Sequence, residues 1–426
     1  MPHCIDLVMP GTTPPGTDVH AHVCIRDTSG NRVDESAVAT VTTPEGLLPV
    51  QLEHGQGRLR IGTMRESPIG CTAQVPGLPV ASSNLTLPVG SDGMQLYFGD
   101  LHAHDFTSEA EGYTGDVYRW ARDEQDLDFL SVPPQCHAWL DNDRWTLAKH
   151  FAEAYLDEGR FVTFSAFEWQ HSHYGDKVVH YLGGDQPYLP VDDGRYAHPA
   201  GLYEAARASD ALIISHHPGY DLDLHVPGTA WEAVDTRVER LTELWSMHGS
   251  SEGYEPADRP LLPPRREQGV MGALRQGLRL GFTAGSDTHS GRPGGSAREP
   301  RPYWGGLCAI WAEDLTRRSL FEALWARRTV ALTGSRIALR FEINGACMGS
   351  EIPYAEERHL RLRVWAPTAL ESVEILRDTQ PWHRTSAGTN NLDLGLADRR
   401  DGPSFYHARV RLADGSLAVC SPVWVG

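Results

Sequence analysis

Two stretches of the chain carry histidines at i and i+2: "VHAHVC" at Val19 to Cys24 and "LHAHDF" at Leu101 to Phe106. In a strand, residues two apart point to one side, so either pair has the spacing to grip one metal ion. Company separates them. Of the 20 histidines, 13 fall between His102 and His289, and they gather at the ends of apolar runs. His102 and His104 close the first run, Glu168 closes "FVTFSAFEW", and His216 and His217 close "ALIISHH". His248 closes "LTELWSMH", and Asp287 and His289 close "GFTAGSDTH". Imidazoles give a divalent cation neutral nitrogen ligands, and carboxylates offset charge and bridge two ions. Any one of these residues alone reads as an ordinary polar strand end, but the whole set is costly to bury without a cation. His20 and His22 lack such partners and are expected to be solvated surface residues.

The elements that position these residues change character along the chain. Residues 1–93 alternate short apolar stretches with turn signals such as "DTSGNR" and "EHGQGR", the rhythm of a small antiparallel β-sandwich. Residues 336–426 repeat that style, with Asp414-Gly415 as a hairpin turn. Between them, at 94–335, nearly all-apolar strands alternate with amphipathic helices such as "RWTLAKHFAEAYLDEG" and "GLYEAARASD". That alternation predicts a parallel sheet buried on both faces and closed into an α/β barrel. The carboxyl ends of barrel strands share one face, so the strand-end residues would meet at one mouth.

Composition narrows the partners. A length of 426 residues exceeds one ordinary core, and 38 basic against 56 acidic residues give −18, with no Lys/Arg block. Nucleic acid and membrane surfaces are therefore not expected partners. Seven scattered cysteines without CxxC spacing point to reduced thiols. With no signal-like or membrane-length apolar segment, a cytoplasmic protein is the expectation. Gly249-Ser250-Ser251-Glu252-Gly253 matches the G-x-S-x-G pattern of serine hydrolases, but prolines at 256, 260, 263 and 264 deny it the helix a nucleophile elbow needs.

In order and spacing, "DLHAH", "FEW", "SHHPG", "WSMHGSSE" and "GFTAGSDTHSGRPG" resemble the PHP (polymerase and histidinol phosphatase) superfamily. The likeness is strongest to a PHP-like branch known as a domain of unknown function, and "RRTVALTGSRIALRFEINGACMG" shares it. The resemblance implies an α/β fold with a distorted (β/α)7 PHP-like barrel, here flanked by N- and C-terminal β-sandwich-like domains. It also implies a cluster of two or three ions of zinc, manganese or iron, and phosphoester hydrolysis. Residue by residue, it implies His102, His104 and Asp287 as ligands of a first ion and Glu168 as a bridge to a second. His216 or His217, with His248, completes the second, and His289 reaches toward a third. Relatives carry a Thr-Asp-His-like turn where this chain has "PPQCHAW", and its "DFTSEAEG" loop lacks a histidine. His137, or Asp105, Glu109 or Glu111, is left for the third position, and two ions are the expectation.

The expected reaction is attack by a metal-bridged hydroxide on a phosphoester, with Glu168 at its centre. His137, His217 or His180 would donate a proton to the leaving group. Arg292 and Lys177 are the cations nearest the motifs, and each reads equally as a clamp for an anionic group of a small-molecule substrate or as a structural surface cation. Two alternatives stand beside this reading. A metal-dependent amidohydrolase uses the same hydroxide on a C–N bond. A metal-stabilised binding protein without catalysis would need only a closed four-ligand site.

Overall fold

The computed structural model describes residues 1–108, 110–135, 141–254, 261, 267–294 and 305–426. The chain is strand-rich, a mixed α/β molecule with one large sheet and few helices. Before Met94 lie two small antiparallel sheets. One joins Cys4–Val8, Asp18–Arg26 and Gln56–Thr63; the other joins Gly46–Leu52, Ala37–Thr43, Thr72–Gln74 and Ala81–Ser82. In "AVATVTT" the two-residue alternation turns Ala39 and Val41 inward and Thr40 and Thr42 out. The inward pair meets Val19, Ala21 and Val23 of the other sheet in one apolar core.

In the large sheet, Gln95–Asp100, Phe129–Ser131 and Val162–Trp169 are parallel neighbours. So are Ala211–Ser215, Glu239–Ser246 and Gly281–Ala284. Val162–Trp169 and Ala211–Ser215 are buried at every position, which is why they read as nearly all-apolar runs. The expected all-parallel sheet is not what forms. Lys177–Tyr181 lies between the two parallel sets and is antiparallel to both neighbours. The turn from Trp169 to Lys177 is too short for the crossover of a dozen or so residues that a parallel return requires. Gly306–Ala312 runs antiparallel beside Gln95–Asp100 on the other side. The two ends of this path approach each other: Gly306 N donates to Gly285 O at 2.8 Å, and Ala103 bridges Thr288.

Helices cover this sheet sparsely. Asn142–Ala154 is capped by Asp141, whose side chain accepts from Arg144 N. Arg317–Trp325 is capped by Thr316 in the same way, and "VMGALRQGL" yields only Val270–Arg275. Strand pairing continues past residue 335, from Thr329–Thr333 to Leu417–Cys420, Ser404–Leu412, Leu370–Arg377 and Gln380–Thr385. Leu96, Phe98 and Leu130 share one apolar core with Phe341, Leu362, Val364 and Val410. No helix among the described residues is long and apolar enough to cross a membrane, and the six described cysteines are free.

Candidate metal centre

Two segments that follow parallel strands are braced against each other by Asp100. Its carboxylate accepts from His102 N at 3.1 Å, Ser286 N at 3.0 Å and Gly294 N at 3.0 Å. Asp287 N donates to His102 O at 2.7 Å, and His104 N to Thr288 O at 3.0 Å. The brace presents His102, His104 and Asp287 side by side. Asp287 adopts a left-handed backbone, φ +52, uncommon for a non-glycine residue and a conformation that collects at functional sites.

His104 Nδ1 lies 3.1 Å from Pro133 O, which only accepts, so that nitrogen carries the proton and Nε2 bears a bare lone pair. Glu243 does the same for His216, with one oxygen 2.8 Å from its Nδ1, and its other oxygen lies 3.4 Å from His102 Nδ1. The Nε2 atoms of His102 and His104 face each other at 3.1 Å. Glu168 Oε2 lies 3.8 and 3.6 Å from them, and Asp287 Oδ1 3.8 and 3.0 Å. The other oxygens face a second pair. Asp287 Oδ2 is 3.4 Å from His216 Nε2 and 3.0 Å from His248 Nε2, and Glu168 Oε1 is 3.9 Å from His216 Nε2. Ligands about 2.1 Å from a shared tetrahedral ion stand about 3.4 Å apart, which is the spacing of both sets.

The electrostatics point the same way. Glu168 Oε2 and Asp287 Oδ2 are buried and face only histidine nitrogens. Among the described residues no lysine or arginine pairs with Glu168, Glu243 or Asp287; only histidines do. Burial and the His216 charge oppose protonation of His102, yet the Glu168, Glu243 and Asp287 carboxylates outweigh them and hold its imidazole up at about 9. His216 is raised further: burial opposes its charge, but Glu243 and Asp287 prevail. Against burial, His216 and His104 hold Asp287 well below the usual carboxylate range, and His216 and His102 hold Glu243 at about 2. The buried carboxylates thus favour positive charge at His102 and His216. The donor set is one that could hold divalent cations, with His102, His104, His216, His248, Glu168 and Asp287 as the candidate ligands.

The remaining expected residues are placed as follows. Of the adjacent pair, His216 faces Asp287, whereas His217 Nε2 is 3.3 Å from Asp176 Oδ2. His289 lies against His104 with ring centroids 4.6 Å apart and planes tilted by 53°, and its Nδ1 is 4.0 Å from Asp287 Oδ1. His248 is fixed by the Tyr220 hydroxyl at 2.9 Å from Nδ1. His248 and His289, at 31% and 37% side-chain exposure, form the open rim of an otherwise buried cluster. His180 is buried with Nε2 on Leu101 O, and burial pushes it down to about 4.

Lys177 does not face the cluster. Its ammonium lies in a buried ion pair 2.9 Å from Glu239, which also accepts from Tyr203 at 2.5 Å. Apolar flanks left the sequence no way to tell a buried, paired lysine from a free one. Arg292 instead reaches the N-terminal sheets, donating to Ser29 O at 3.2 Å and lying over Trp120. Asp105 accepts from Thr107 N, Glu111 is exposed, and His137 and Glu109 lie outside the described residues. Ser251 is buried and accepts from Gly219 N at 3.2 Å. His20 is exposed, as expected, but His22 is buried, with Nδ1 2.5 Å from Asp126 and Nε2 3.1 Å from Gln56. Its partner comes from a distant segment that strand-end counting does not reach. Sequence reasoning also missed Asp100, Asp176 and Glu243. The signal for Glu243 was a lone charge inside the apolar run "LTELW".

The model of a family described as "Protein of unknown function (DUF3604)" matches residues 296–352. An uncharacterized protein of Chlamydia pneumoniae is 29% identical over 363 residues, covering 78% of this chain and 57% of that protein. One from Chlamydia muridarum is 25% identical over 359 residues with the same coverage. The chain thus spans under two thirds of the length of the curated relatives it matches. Among solved structures, it is similar to a two-domain protein of Bacteroides vulgatus containing a predicted PHP-like metal-dependent phosphoesterase. That likeness has a TM-score of 0.45 and 14% identity, covering 78% of this chain and 96% of that one.

Proposed function

We propose that this chain is a metal-dependent hydrolase built around a pair of divalent cations, acting on a phosphoester of a small anionic molecule. The observation that carries the reading is the division of oxygens. Glu168 and Asp287 each turn one oxygen to the His102 and His104 side and the other to the His216 side, with no described lysine or arginine answering their charge. Two zinc, manganese or iron ions held there supply Lewis acidity, lowering the pKa of coordinated water and stabilising developing negative charge. The rest falls to the protein. Glu243 and Pro133 O keep Nδ1 protonated and Nε2 free on His216 and His104, and the second Glu243 oxygen faces His102 Nδ1. Burial excludes bulk water, and the exposed rim of His248 and His289 is the side from which substrate arrives. We read the strand path as a distorted (β/α)7 barrel whose carboxyl ends form this mouth. Scattered reduced thiols fit a cytoplasmic setting.

Hydrolysis of generic phosphomonoesters or diesters should vanish with a chelator and return with manganese or zinc. Glu168→Gln should abolish turnover with the circular dichroism spectrum intact, since it removes the shared charge and keeps the shape. Full activity in metal-free protein contradicts the proposal. Metal-dependent amide cleavage without phosphatase activity keeps the cation pair but assigns the chain to the amidohydrolases.

A further inference from the structure

We infer that the chain holds a further divalent cation between Glu168, Asp176 and His217, beside His216 and away from His289, the residue the family resemblance implies for a third ion. The inference rests on the proposed cation pair, and its test separates the two.

The three residues come from different segments: the end of Val162–Trp169, the turn that follows it, and the residues after Ala211–Ser215. One donor atom from each lies within 4.8 Å of the others, and all three are buried, at 1%, 4% and 3% exposure. Two carboxylates brought together in a dry site repel unless charge stands between them. Among the described residues no lysine or arginine pairs with either, and Lys177, one position after Asp176, is held by Glu239.

The placement is constrained from several sides. Asp176 Oδ1 accepts from His171 N at 3.0 Å, and Asp176 O from His216 N at 2.9 Å, which leaves Oδ2 for His217. His217 has φ +30, a conformation uncommon for a non-glycine residue. Its Nε2 faces Asp176 Oδ2 at 3.3 Å, and its Nδ1 is buried with no hydrogen-bond partner. A cation on the Nε2 side accounts for a ring turned toward the two carboxylates. It would also change the charge of the mouth: the carboxylates of Glu168, Glu243, Asp287 and Asp176 balance two divalent ions, and a third makes the pocket net positive, drawing in an anionic substrate group.

The test uses manganese alone. Crystals of the full chain grown with Mn²⁺ and measured at the manganese edge should show anomalous peaks at the pair and a separate peak between Glu168, Asp176 and His217. Asp176→Asn and His217→Gln should each lose that peak and keep the others, and solution stoichiometry should fall from about three to about two ions per chain. Peaks at the pair alone in the unaltered protein, or the extra peak persisting in both variants, overturn the inference and leave the pair standing. No bound manganese at all overturns both. Should one variant fail to fold, the other and the unaltered crystal still decide.

Discussion

Glu243 touches neither proposed ion, yet it sets the direction of two of their ligands. Glu243→Gln keeps the volume and loses the charge that holds His102 and His216 with Nε2 inward. Cation affinity should fall roughly 10–100-fold, read by chelator competition, with the fold retained. Ser251→Ala, by contrast, should leave turnover nearly unchanged, because that hydroxyl accepts a backbone hydrogen bond away from the cluster. His22 and Asp126 form a different kind of site. Burial raises the Asp126 carboxyl, but His22 and Arg58 outweigh it and hold it below the ordinary value. A folded value below the unfolded one stabilises fully above about pH 4 and is lost as pH falls through the folded value. Asp126→Asn should therefore cost about 1–3 kcal/mol at pH 7 in urea melts. The gap to the unaltered protein should close below pH 4, and metal content should stay the same.

Among the elements, Lys177–Tyr181 shows where legibility ended. Strands buried on both faces announce themselves as apolar runs, so "FVTFSAFEW" and "ALIISHH" were readable, and with them the residues at their ends. "KVVHY" was not, because a lysine and a histidine break the run and only the tertiary partners Glu239 and Leu101 O explain them. Missing it turned a mixed sheet into a parallel one and left open whether Lys177 is a substrate clamp or a structural cation, where the structure pairs it with Glu239. Lys177→Met leaves Glu239 charged and buried without its partner, and should cost about 3–5 kcal/mol by thermal or urea melts. Arg292→Met should cost under about 1 kcal/mol, because its guanidinium makes only partly exposed contacts. Equal losses in the two variants would contradict the assignment of Lys177 to the core.

At the scale of the whole molecule, a change of strand and helix rhythm near 93 and 335 was visible in the sequence, but the continuity of pairing was not. Register between Thr329–Thr333 and Leu417–Cys420 joins residues too far apart for any local pattern to report. A chain ending at Gly334 should accordingly be insoluble, since it bares Thr329–Thr333 as a sheet edge and uncovers Leu96 and Phe98; a soluble, metal-binding fragment 1–334 would contradict this. If the cluster around Glu168 and Asp287 holds cations, elemental analysis of the full chain purified without added metal should find at least two divalent ions per chain. The His102→Ala/His104→Ala double variant should lose at least one of them, and the less stable but folded His20→Ala/His22→Ala variant should lose none. A native protein free of metal, or equal loss in both double variants, would contradict the cluster as a cation site.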